Sequence, residues 1–114
     1  MNSDNYINED KIKELNSKKK VFSYIGLSAR SGNLVKGEFS TENAVKNGSA
    51  CLVIVASDAS DNTKKLFRNK CSYYEVPYYE FSSKEELGRA LGKEICASMA
   101  FLDEGLADAA MKYL

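Results

Sequence analysis

A chain of 114 residues, 44% hydrophobic and 28% charged with one proline, is the size of one domain around one hydrophobic core, and its composition excludes a disordered or collagen-like polymer. Sixteen basic residues balance sixteen acidic ones and histidine is missing, so the commonest general base and metal ligand is unavailable, and net charge alone gives no nucleic-acid signature. The longest strongly apolar run, Ala50 to Ala56, is far short of the roughly 18–20 residues that span a bilayer, and no membrane segment is expected.

Residues 1–10 (MNSDNYINED) lack apolar periodicity, and a disordered or frayed tail is expected over 1–16, followed by one domain over 17–114. The tail is polar and acidic, without the basic start and apolar stretch of a secretory signal, so a cytoplasmic protein is expected. Ile12, Leu15, Val21, Phe22, Tyr24, Ile25 and Leu27 recur at helical or near-helical spacing up to Ser31-Gly32. This predicts a first helix starting near Asn16 or Ser17. Leu34-Val35, between Gly32 and Gly37, suits one edge strand, and a second helix runs from Phe39 or Ser40 to Lys46, stopped by Asn47-Gly48.

Ala50 to Ser57 (ACLVIVAS) is a continuous apolar, β-branched run that needs cover on both faces, as the central strand of a sheet does. Ser60 or Asp61 can cap a third helix reaching about Lys70, and Val76 to Phe81 is a further strand. Ser83 with Glu86 forms a capping box for a fourth helix ending at Gly92. Ala97 to Leu102 reads as the last strand and Glu104 to Tyr113 as a closing helix. Strands alternating with short helices predict a three-layer α/β/α sandwich.

Cys51, Cys71 and Cys96 are odd in number and widely spaced, so buried reduced thiols are expected rather than disulfides or a zinc site, and no metal or cofactor is anticipated. Glu85-Glu86 and Asp103-Glu104 are adjacent carboxylates, but each lies at a predicted helix start, where acidic side chains favour the helix dipole. No catalytic constellation emerges, and an enzyme is not expected. In LGRALG, Gly88 and Gly92 are read as small residues that let the fourth helix lie close on the sheet.

Charge is unevenly distributed. Residues 11–70 carry twelve Lys or Arg against five Asp or Glu, whereas residues 71–114 carry four against eight, so one face can be basic on a neutral protein. Lys36-Gly37 stands at the entrance of the second helix, with Ser40, Asn43 and Lys46 spaced to share one face. Free backbone N–H groups there suit a phosphate or a base edge, although a solvated helix face with a glycine turn would look the same. Gly92 to Ala97 links a helix to a strand, and its Ile95 and Cys96 either meet stacked bases or tuck inward.

The segments GLSARSGNLVKGE (26–38), AVKNGSACLVIVASDASDNT (44–63), KCSYYEVPYY (70–79), LGRALG (87–92) and CASMAFLDEG (96–105) resemble, in order and spacing, the L-seven-Ae ribosomal-protein family. ASDASDNTKK with KCSYYEVPYY is similar to its YlxQ-like bacterial branch. The resemblance implies an L-seven-Ae-like sandwich with a four-stranded mixed sheet that binds kink-turn RNA and catalyses nothing. RNA would meet the start of the second helix and the loop before the last strand. Carried over by position, the implied contacts are Lys36, Gly37, Phe39, Ser40, Asn43, Lys46, Arg89, Glu94, Ile95 and Cys96. The implied partner is structured RNA, ribosomal RNA among the candidates, bound by a monomer.

The sequence departs from the family at one place. RNA-binding members carry Asn-Glu-X-X-Lys where this chain has Phe39-Ser40-Thr41-Glu42-Asn43. The basic residue becomes Asn43, while Glu38 and Glu42 add negative charge, which implies fewer phosphate contacts and weaker salt dependence. Phe39 either stacks on a base or turns into the core. A protein-interaction module on the same fold, without kink-turn specificity, is the alternative reading.

Overall fold

A computed structural model describes residues 8–114. Among the described residues, five helices and four strands alternate: α1 (Glu9–Arg30), β1 (Leu34–Lys36), α2 (Glu38–Lys46), β2 (Leu52–Val55), α3 (Asp61–Tyr74), β3 (Tyr78–Glu80), α4 (Lys84–Ala90), β4 (Ser98–Phe101) and α5 (Glu104–Met111). The sheet has the order β1-β4-β2-β3. β4 runs antiparallel to both β1 and β2, and β2 pairs with β3 in parallel, so the sheet is mixed.

Every residue of β2 and of β4 is buried, and strands in that condition need helices on both faces. α2 and α3 pack on each other and against β4 and β2, while α1 packs with α4, α5 and β1. The three-layer sandwich and the central place of the ACLVIVAS run follow. Phe67, Phe101, Ile25, Leu52, Leu87 and Met99 are among the largest side chains fully enclosed between the layers.

The expected tail over 1–16 requires a correction. Residues 1–7 lie outside the described residues, but residues 9–16 are helical and continuous with the rest of α1. The Asn8 side chain accepts a hydrogen bond from the Asp10 backbone N–H at 2.8 Å, and Glu9 and Asp10 stand in the first turn, where they favour the dipole. Ile12 and Leu15 remain exposed there. Local capping rather than burial therefore holds this turn, and the helical spacing of Ile12 and Leu15 belongs to the same helix although neither residue enters the core.

α3 also runs past the expected Lys70, because Glu75 adopts a left-handed conformation (φ 58°) and closes the helix with its N–H on the Cys71 carbonyl. No glycine marks that stop. The capping box before α4 forms only in part: Ser83 Oγ accepts from the Glu86 N–H at 3.1 Å, but the Glu86 carboxylate turns to Lys18 Nζ (3.2 Å) and so fastens α1 to α4. Asp58 Oδ1 supplements the cap by accepting from the Lys84 N–H at 2.8 Å.

Two measurements test this account of the packing. Phe67→Ala is expected to cost about 3–5 kcal/mol through lost burial and a residual cavity, read as a lowered denaturation midpoint. Glu80 is held below the usual carboxylate range first by the Tyr78 hydroxyl (2.8 Å) and then by Arg68, and Glu86 first by Lys18. A depressed folded value adds stability that is fully present above the unfolded carboxylate pKa of roughly 4.3 and disappears as pH falls through the folded value. Glu80→Gln with Glu86→Gln should flatten that acid limb in thermal melts taken across pH.

Candidate nucleic-acid interface

Gly37 caps α2 with φ 90° and ψ 158°, a conformation that a side chain would strain. It offers no capping side chain, so the N–H groups of the first turn have no intrahelical acceptor and point out along the axis. The Gly37 N–H itself donates to the Ser98 carbonyl at 2.9 Å, which ties the start of α2 to the start of β4.

That carbonyl has a second donor. The Cys96 thiol reaches it at 3.2 Å, so the loop ahead of β4 and the entrance of α2 converge on one oxygen. Lys36, Gly37, Lys93, Ile95, Cys96 and Ala97 line a cleft of about 480 Å³ at this junction. The loop is further fixed to α4: Cys96 N–H donates to the Lys84 carbonyl at 2.9 Å, and Lys93 N–H to the Gly88 carbonyl at 2.8 Å. A Cβ on Gly88 would lie 2.6 Å from the Ile95 Cα. The expected close approach at Gly88 is thus to the loop backbone rather than to the sheet.

With its backbone pressed on α4, Ile95 carries its side chain outward, 65% exposed, and Phe39 on the first turn of α2 is 78% exposed. Phe39 therefore faces solvent, and its choice between core and surface is decided. Cys96 is only 6% exposed. Burial pushes its thiol up, against the opposing pull of the Ser98 and Gly37 backbone and of Lys36, so the group stays protonated at neutral pH. Its side chain, a buried reduced thiol as expected, fastens the loop to the Ser98 carbonyl at one wall of the cleft.

Ser40, Asn43 and Lys46 lie exposed along α2, whereas Thr41, Ala44 and Val45 form its buried face. Glu42 is bridged by Lys46 at 3.2 Å and by Lys70 at 3.9 Å, and Glu38 accepts from the Thr63 hydroxyl at 3.4 Å, so the two acids of this helix are engaged with cations or α3. Arg89 is not among the residues of the Lys36 cleft. It pairs with Glu85 at 2.9 Å and lines a separate cleft with Phe22, Gly26 and Arg30. Glu94 is exposed in the loop but does not line the cleft. Lys93 and Ala97, which do, belong to the Gly92 to Ala97 segment that the sequence singled out but were not among its implied contacts.

Acidic charge gathers elsewhere. Asp103, Glu104 and Asp108 lie near Cys51 and, after burial, raise its thiol pKa. Cys51 N–H bonds to the Phe101 carbonyl, at the opposite end of β4 from Ser98. Among the described residues, no cluster of His, Cys, Asp or Glu is arranged to hold a metal ion, and no helix is long and apolar enough to cross a membrane.

The profile of the ribosomal protein L7Ae/L30e/S12e/Gadd45 family matches residues 19–111. The chain is 40% identical to the RNA-binding protein YlxQ of Bacillus subtilis (strain 168) over 87 residues, which is 76% of this chain and 87% of that protein. It is 44% identical to the RNA-binding protein YlxQ of Enterococcus faecium over 77 residues, covering 68% and 75% of the two chains. Among solved structures, a protein of unknown function from Bacillus halodurans C superposes with a TM-score of 0.80 at 36% identity, over 82% of this chain and 95% of that one. The Giardia lamblia 15.5kD RNA binding protein shares the fold, with a TM-score of 0.70 at 24% identity, over 96% and 88%. With a profile match over most of its length and close relatives of one kind, the chain belongs to the ribosomal protein L7Ae/L30e/S12e/Gadd45 family, in its YlxQ-like bacterial branch.

Proposed function

We propose that the protein binds structured RNA of the kink-turn type at the junction of α2 with the loop before β4, as a monomeric, cytoplasmic, ribosome-associated factor without catalytic activity. The observation that carries this reading is the meeting of Lys36 and Gly37 with Lys93 and Ile95 in one cleft. Two ammonium groups and the free N–H groups of a helix start suit phosphate oxygens, and an exposed aliphatic side chain on a clamped loop suits the face of an unstacked base. The relatives named RNA-binding proteins support the same reading.

Recognition here works by shape. The α2 start and the Ile95 loop are fixed relative to one another through Ser98, so they fit an RNA backbone only when it bends to present both a phosphate run and an extruded base. The protein then draws the bent conformer from the RNA ensemble. Phe39, standing where other members carry a polar residue, offers a ring for stacking instead of a hydrogen bond, and Asn43 removes one cation. A smaller share of the affinity therefore comes from counterion release.

Titration against a labelled kink-turn duplex, with a matched duplex lacking the G·A pairs, tests the proposal. Selective binding to the kinked RNA is expected, and equal weak binding to both would defeat it. Lys36→Glu should weaken binding and lower the salt slope by about one. Ile95→Asp should weaken it at every salt concentration with little change in slope. Gly88→Ala should displace the loop, costing about 1–3 kcal/mol of stability by overpacking and reducing affinity for RNA although residue 88 is buried and touches no ligand.

A further inference from the structure

The C-terminal half of α3 carries a second feature that the Lys36 cleft does not use. Tyr73 and Tyr74 meet edge to face, with ring centroids 4.8 Å apart and planes inclined by 74°. Tyr73 is nonetheless 79% exposed. With Leu66, Asn69 and Lys70 the pair lines a cavity of about 500 Å³. The edge of one ring braces the other, so the exposed ring is held in place by a neighbour while its outer face stays open.

A strip of polar and basic groups connects this cavity to the start of α2. Phe39, Ser40, Asn43 and Lys46 follow the exposed side of α2, and Glu42 joins Lys46 to Lys70, which belongs to the cavity wall. α3 itself carries Lys64, Lys65, Arg68 and Lys70 against Asp61 alone. Lys64 and Arg68 share Glu80, and Lys46 and Lys70 share Glu42, so each pair of cations keeps positive charge in excess. From Thr63, bonded to Glu38 at the start of α2, to Tyr73 the helix advances about 15 Å at 1.5 Å per residue.

We infer that the Tyr73–Tyr74 cavity stacks an unpaired nucleotide of the RNA strand that leaves the kink, the strand running along α2 past Lys46 and Lys70. The inference rests on the RNA-binding reading given above and extends its footprint. Exposed rings accept any base on their π-face, and the flanking ammonium groups track the backbone, which is the combination that holds single-stranded nucleic acid. Lysine at the rim and in the wall favours RNA over a protein partner, because the cores of protein interfaces are depleted in lysine.

The experiment compares a bare kink-turn duplex with the same duplex extended by a short single strand that carries a fluorescent adenine analogue. The unaltered protein should bind the extended RNA about tenfold more tightly and quench the analogue, a gain in the range of one base stacked on an aromatic ring. Tyr73→Ala should remove both the gain and the quenching while leaving affinity for the bare duplex unchanged. Tyr73→Phe should keep both. Thermal melts of the variants check folding, which an exposed side chain is not expected to disturb. Equal affinity for the two RNAs, or a gain that Tyr73→Ala leaves intact, would overturn the inference alone and leave this face to a protein partner. Failure of the unaltered protein to bind either RNA would overturn the RNA-binding reading and the inference with it.

Discussion

The Ser98 carbonyl is the point on which the geometry of the site depends. One lone pair meets the Gly37 N–H and the other the Cys96 thiol, so a helix start and a loop that are about sixty residues apart in sequence share a single acceptor at the end of a fully buried strand. A strand enclosed on both faces has little freedom to shift, and its terminal carbonyl is a fixed reference for whatever bonds to it. Losing either donor would remove one tie between the two elements, while the loop would keep its bonds to α4 and α2 its continuity with β1.

Two glycines make that arrangement possible for different reasons. Gly37 supplies a backbone conformation that side chains rarely adopt and thereby lets the chain turn from β1 directly into α2. Gly88 supplies space, since the Ile95 backbone occupies the place a Cβ would take. The close approach at Gly88, with the bonds from Cys96 to Lys84 and from Lys93 to Gly88, orders the loop before any ligand arrives. A loop already ordered loses less conformational entropy on binding than a mobile one, so more of the interaction energy remains as affinity.

What the sequence revealed depended on whether a position is governed by pattern or by partner. The central strand was legible because a continuous β-branched run of that length suits a strand buried on both faces, and α2 was legible because glycines bracket it. The first turns of α1 were not, since Asn8, Glu9 and Asp10 hold them by capping while Ile12 and Leu15 stay in solvent. The end of α3 was hidden because Glu75, not a glycine, takes the left-handed position. At the site, Lys36 and Gly37 were recognisable from their place at a helix start. The placing of Arg89 in another cleft and the outward turn of Phe39 depend on tertiary neighbours that no spacing encodes.

Neutral net charge conceals an uneven distribution of charge about the sheet. β4 runs antiparallel to β2, so its first residue, Ser98, and its last, Phe101, stand at opposite ends of the sheet. Lys36 and Lys93 collect at the Ser98 end, where β1 and the loop before β4 meet. Asp103, Glu104 and Asp108 collect beside Cys51 at the Phe101 end. β4 spans only about 10 Å from Ser98 to Phe101 at about 3.3 Å per residue, little more than the screening length of about 8 Å at physiological ionic strength, so the far acids are screened only in part. At the near end Glu38 and Glu94 accompany Lys36 and Lys93, with Glu38 turned to the Thr63 hydroxyl. The far acids would repel a phosphate backbone laid along the wrong end of the sheet. Total charge is therefore a poor guide to the field at either end of the sheet.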